Sequence, residues 1–199
     1  GIVADSDPNF AQFTITVRDL NNLPVNNSFV VIDFSACGGL QLCSDQLQAG
    51  ITAVCGFQQV RGFTGAGGTL TLSVLGHANN TGSGNPSGDT DPNNGFNNPT
   101  PQPGCATIEA DGTALTCAGG VTVAAFDHNG GGIIPSDQAC YLGDYFGVNS
   151  GSVGRDLHRS DYDNSGAVIP SDQAIYLFMY FANGSTENCP AASGECAPI

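Results

Sequence analysis

"FTITVRDLNNLPVNNSFVVIDFSA", residues 13 to 36, decides what kind of fold this chain makes. Phe13 to Asp19 alternates apolar or β-branched residues with polar ones, the period-two pattern of a strand with one buried face. The middle, "NNLPVNN", is turn chemistry, because Asn tolerates left-handed backbone and Pro fixes φ and removes a donor. Ser28 to Ala36 then reads as a second, more apolar strand. Working outward, residues 51–63, 68–77, 105–110, 113–117 and 120–126 are further strand candidates, and nothing between Phe10 and Asp127 has a helical period. Roughly seven short strands with Gly and Asn turns predict a mainly β fold, an antiparallel β-sandwich over residues 1–124. Inside it, residues 79–104 are low complexity and lack the apolar surface to fold alone, so a long surface loop is expected there.

The totals narrow the class. A chain of 199 residues with 40% apolar content can build a real core. Eighteen acids face four bases, Arg18, Arg61, Arg155 and Arg159, for a net charge of -14. Phosphate binding needs clustered Lys or Arg, which argues against nucleic acid as a partner. Carboxylates without cationic partners invite a divalent ion instead. No apolar run reaches the length of a membrane-spanning helix, so membrane insertion is not expected. The opening "GIVADSDPNF" reads as a mature N-terminus left after removal of a signal peptide.

Eight cysteines are an even number without the paired CxxC spacing of a zinc site. Disulfides in an oxidising, extracellular or cell-surface setting are therefore expected. Eight cysteines leave connectivity open, and the short closures Cys37 to Cys43 and Cys189 to Cys196 are favoured on loop entropy. Sequons at Asn26, Asn79 and Asn183 offer glycosylation sites, although such triplets also arise by chance in an Asn-rich chain.

The second half carries two related stretches, "FDHNGGGIIPSDQACYLGDYF" at 126–146 and "DYDNSGAVIPSDQAIYLFMYF" at 161–181. A calcium ion takes six to eight hard oxygens, and a 12-residue loop supplies them from positions 1, 3, 5, 7 and 12 with Gly at 6. Counting from Asp161 fills every slot: Asp161, Asp163, Ser165, Gly166 at the turn, the Ala167 carbonyl and Asp172. In the earlier copy Phe126 stands where Asp161 does, so a loop one residue shorter is expected to begin at Asp127. Its ligands would be Asp127, Asn129, the Gly131 carbonyl and Asp137. Ca2+ is thus the expected cofactor, with a second site at the shorter loop. After Asp172 a helix is expected, with Ser171 or Asp172 capping it and Ile175, Phe178 or Met179, and Phe181 or Ala182 along its buried face. A third "SDQ", Ser44 to Gln46, has no acidic loop before it and reads as a cap or turn.

Two resemblances go with these stretches. "FTITVRDLNNLPVNNSFVVI" followed by "FTGAGGTLTLSVLG" resembles the bacterial Ig-like domains of the invasin and intimin type, although the turn Thr64 to Gly68 lacks the aspartate usual there. A calcium loop followed by a helix, occurring twice with Asp at position 12, resembles a dockerin, here over roughly residues 125–182. The resemblances imply an Ig-like sandwich at 1–124, then a small α-helical, dockerin-like segment and a disulfide-bearing tail at 125–199. Dockerin repeats normally follow one another closely, whereas "GVNSGSVGRDLHRS" intervenes here.

Catalysis has little support. His77, His128 and His158 are far apart, no G-x-S-x-G, H-E-x-x-H or phosphate-loop motif occurs, and no tryptophan is present to line a sugar cleft. The expectation is a non-enzymatic, calcium-stabilised subunit of an extracellular fibre, joined to its neighbours by addition of its N-terminal strand. The alternatives are a dockerin-like module docking a cohesin-like receptor on the cell surface, and a glycan-binding adhesion sandwich.

Overall fold

The computed structural model describes residues 2–4, 13–37, 40–46, 48–78, 105–115, 121, 123–128, 133–146, 160–163, 165, 167–183 and 196. The chain is mainly β, with eleven strands in several antiparallel sheets and two α-helices among those residues. The strands are β1 (Ile2–Ala4), β2 (Phe13–Thr16), β3 (Phe29–Asp33), β4 (Leu40–Leu42), β5 (Thr52–Val54) and β6 (Gln59–Phe63). They continue with β7 (Thr69–Leu72), β8 (Gly76–Ala78), β9 (Thr107–Ala110), β10 (Thr113–Ala114) and β11 (Val123–Ala125). A five-stranded sheet runs in the order β10-β9-β3-β6-β5, and β2-β7, β4-β8 and β1-β11 form two-stranded ribbons.

The alternation read from sequence builds the core. Phe13 and Ile15 of β2, Val30 and Ile32 of β3, and Leu70 and Leu72 of β7 point inward into one apolar cluster. That cluster draws on both the five-stranded sheet and the β2-β7 ribbon, which is consistent with a β-sandwich. Gly62 of β6 marks a close approach: a Cβ there would lie 2.6 Å from Ile51 Cδ1 and 3.2 Å from Leu70 Cδ2. Between β2 and β3, Asp19 Oδ1 accepts the N–H groups of Asn21 and Leu23 at 2.8 Å each, and Asn22 and Asn27 take positive φ. The "NNLPVNN" turn thereby carries the chain from one layer to the other.

Several sequence expectations are corrected. Residues 51–63 are two strands, because the 3-10 turn Cys55–Phe57 and left-handed Gln58 fold them into a hairpin. Residues 68–77 also split, β7 pairing with β2 and β8 with β4. The short cysteine closures do not form: Cys37 bonds Cys105 and Cys55 bonds Cys196. The intervening β4 keeps Cys37 and Cys43 apart, since extended chain advances about 3.3 Å per residue and a disulfide tolerates only a short Cα separation. Cys43 is itself disulfide-bonded. Cys196 is buried in the sandwich core and its N–H donates to the Leu42 carbonyl at 2.8 Å, so this part of the tail belongs to the β layers.

A second, smaller core holds Ala124, Phe126, Ile133, Tyr141, Tyr162, Val168, Ile175, Tyr176 and Met179. β11 serves both cores: Val123 faces the first and Ala124 the second, as strand alternation dictates. The helices α1 (Pro135–Phe146) and α2 (Pro170–Asn183) pack over this second core. The buried stripe of α2 is Asp172, Ile175, Tyr176 and Met179, whereas Phe178 and Phe181 are 62% and 80% exposed, contrary to one of the two alternatives read from sequence. No helix among the described residues is long and apolar enough to cross a membrane. The low-complexity segment 79–104, the linker 147–159 and the sequon at Asn79 lie outside the described residues.

Candidate metal centre

Each helix begins with Pro at its first position and Asp at its third, directly after an Ile. Pro is pre-organised there, and an acid at the third position can reach back to the N–H before the helix. Ile134 N–H donates to Asp137 Oδ2 at 3.0 Å and Ile169 N–H to Asp172 Oδ2 at 2.8 Å. The other oxygen of each carboxylate turns toward the start of its loop. Asp137 Oδ1 accepts His128 N–H at 2.7 Å; Asp172 Oδ1 accepts Tyr162 N–H at 2.7 Å and Asp163 N–H at 3.2 Å. In both repeats one aspartate caps the helix and pins the loop that precedes it.

In the second loop Asp161, Asp163 and Asp172 bring carboxylate oxygens within 4.8 Å of one another, a group that can hold a metal ion. Asp161 and Asp172 are buried and Asp163 is exposed. Ser165 N–H donates to Asp161 Oδ1 at 3.0 Å and to Asp163 Oδ1 at 3.1 Å, folding the loop over the acids. Ser165 Oγ donates to the Ala167 carbonyl at 3.0 Å, so the two remaining ligand candidates of this loop are neighbours. Ser171 does not cap the helix; its hydroxyl donates to Asp163 Oδ2 at 2.6 Å. The donor set is all oxygen, which fits a hard divalent cation and not a thiolate- or imidazole-seeking metal.

Electrostatics push these acids in different directions. Burial, and then the neighbouring Asp163, raise the Asp172 carboxyl above its ordinary range. Partial burial acts the same way on Asp163, but hydrogen bonds from Ser171 and Ser165 outweigh it and hold that carboxyl low. Asp137 is pushed up to about 6, first by burial and then by Asp127, despite the donors at Ile134 and His128. Carboxylates gathered this closely are a site that a cation would relieve.

In the first loop Asp127 and Asp137 are both buried, while Asn129 and Gly131 lie outside the described residues. The hydrogen bonds of His128 and Tyr162 correspond, so Asp127 occupies the place in its repeat that Asp161 has in the other. Phe126, the residue before Asp127, is core: its ring stacks on Tyr162 at 4.5 Å.

The two repeats meet through side chains that the loop pattern did not single out. His128 Nε2 is 3.2 Å from the Tyr162 hydroxyl, which also lies 3.4 Å from the Ala125 carbonyl of β11. Ser160 Oγ, just before Asp161, donates to Asp144 of α1 at 2.6 Å. Tyr141 of α1 stacks on Tyr176 of α2, ring centroids 5.0 Å apart. The signal for that pair was present: "ACYLGDYF" and "AIYLFMYF" repeat Tyr and Tyr-Phe in step with the loops. The chain matches no family model, no curated protein and no solved structure.

Proposed function

We propose that this chain is a non-enzymatic, secreted structural protein with calcium as its stabilising ion, and that it serves as a subunit of an extracellular fibre or surface assembly. The observation that carries the calcium reading is the Asp161, Asp163 and Asp172 cluster, in a loop that places Ser165 and the Ala167 carbonyl beside it. Bound there, calcium would neutralise the gathered acids and fix the start of α2; Asp127 and Asp137 support a second site of the same kind. The disulfides are what an oxidising compartment produces.

The assembly reading is supported by the N-terminal strand. β1 pairs with β11 of its own chain over three residues, Ile2 opposite Ala125 and Ala4 opposite Val123, and among the described residues it belongs to no other sheet. So short a pairing can be exchanged for the same pairing in a neighbour, which closes nothing and propagates head to tail. Electron microscopy and sedimentation of the full chain in calcium test this: filaments are expected, and deletion of residues 1–12 should abolish them. Single particles at high concentration, for both proteins, would overturn it.

A receptor-docking reading, dockerin-like in kind, is favoured by one observation, the exposed Phe178 and Phe181 on a helix paired with its repeat partner. Recovery of a distinct cohesin-like receptor with no self-association would select it.

A further inference from the structure

Tyr141 and Tyr176 hold the same position in the two repeats and lie nearly parallel, with ring planes 11° apart. They are 1% and 0% exposed, and neither hydroxyl makes a hydrogen bond with the described residues. A buried hydroxyl without a partner is destabilising, and phenylalanine would fill the same space without that penalty. The surroundings indicate what the hydroxyl is for. The Tyr141 ring also stacks at 6.2 Å on Tyr162, the residue between Asp161 and Asp163 whose N–H holds Asp172. Burial raises the Tyr141 hydroxyl above its ordinary pKa, and Asp172 is the carboxylate that adds most, with Asp163 acting more weakly. Tyr176 mirrors this, its ring 6.3 Å from His128 and its hydroxyl raised by burial and then by Asp137. Each tyrosine is carried by one repeat, and the carboxylate that acts most on its hydroxyl belongs to the other, although Asp144 of its own helix also acts on Tyr141.

Ligand arithmetic gives that hydroxyl a task. Asp161, Asp163, Ser165, the Ala167 carbonyl and Asp172 supply about five ligand groups, whereas calcium takes six to eight oxygens, so water completes the shell. A carboxylate has about four acceptor positions, and three N–H groups already occupy Asp172, leaving its last for the ion. We infer that Tyr141 is a positioning residue of the Asp161–Asp163–Asp172 site, supplied by the other repeat, whose hydroxyl hydrogen-bonds the water that a seated calcium ion carries. This inference rests on the calcium reading of the site and makes each repeat incomplete without its partner.

The test compares wild type, Tyr141→Phe and Asp161→Asn as full chains, by calcium calorimetry and by melting in calcium and in chelator. Tyr141→Phe keeps the ring stack and removes only the hydroxyl. Calcium binding at the site that Asp161→Asn abolishes should weaken by about tenfold. Melting of Tyr141→Phe should fall below wild type in calcium yet equal or exceed it in chelator, a change of sign that a purely structural role would not give. If Tyr141→Phe binds calcium like wild type while Asp161→Asn does not, the inference fails and the calcium reading stands. If Asp161→Asn also binds like wild type, the calcium reading itself fails. Equal losses of stability in calcium and chelator would likewise overturn the inference. A reading without variants is the near-ultraviolet tyrosine band, uncrowded in a chain lacking tryptophan; it should shift when calcium is added, and an unshifted band counts against the inference.

Discussion

Asp172 closes the loop on the three backbone donors that organise it and also caps α2. Asp161 has no part in that cap. The two substitutions should therefore separate. Asp161→Ala should erase most of the difference between melting in calcium and in chelator while leaving the chelator value nearly unchanged. Asp172→Asn should lose the calcium effect and lower the chelator value too, by roughly 1 kcal/mol for the weakened cap. A pH titration gives a third check at this scale. The folded carboxyl of Asp137 lies at about 6, above its ordinary value of 3.8, so the folded state holds that proton more tightly than the unfolded one. Its contribution in chelator is present below about pH 4 and is lost as pH rises through about 6. Calcium competes with the same proton, so its stabilising effect should grow over that window. Stability of the helical segment in chelator that rises between pH 4 and 6 would contradict the assignment. At this scale the gathering of Asp161, Asp163 and Asp172 was legible because loop spacing is local. The contact of His128 with Tyr162 was not, because the two stand on different repeats, and Tyr141 showed only as a tyrosine repeated in step with the loops.

The elements show where local pattern suffices. Alternation in Phe13 to Asp19 and Ser28 to Ala36 located β2 and β3, since one buried face imposes a period of two. The same reasoning ran 51–63 together, because nothing in apolar content alone signals the hairpin made by the 3-10 turn and Gln58. β4, only three residues long and buried throughout, offers no alternation to read. The crossing between layers turns on Gly68, whose φ is +71° and where a Cβ would lie 2.5 Å from the Val17 carbonyl oxygen and 2.8 Å from Val25 N. Both contacts are backbone, so no rotamer can relieve them. Gly68→Ala should lower the stability of the β layers by about 2–3 kcal/mol or more, read by denaturant titration. Gly56→Ala, with open space at its Cβ, is the matched control and should change little.

The whole molecule ties the helical segment at both ends. It leaves the sandwich through β11, held by β1, and the chain returns to the sandwich at Cys196, bonded to Cys55 and hydrogen-bonded to Leu42. That return was not legible in the sequence, because a disulfide spanning 141 residues leaves no local trace and loop entropy favours shorter closures. The consequence concerns the unfolded segment more than the folded one. A segment fastened at both ends has fewer conformations to gain on opening, so under the proposed calcium binding the tether should make calcium removal less disruptive. Hydrogen exchange in chelator should show lost protection in α1 and α2 while β3, β6 and β9 stay protected. Cys196→Ser should then deepen the effect: the segment gains freedom on opening, at a cost to its stability of about 2–4 kcal/mol. More calcium should be needed to restore protection in α1 and α2, although Cys196 lies in the core of the β layers. If the calcium requirement of those helices is the same in Cys196→Ser and wild type, the tether does not act on the helical segment, and the disulfide serves the β layers alone.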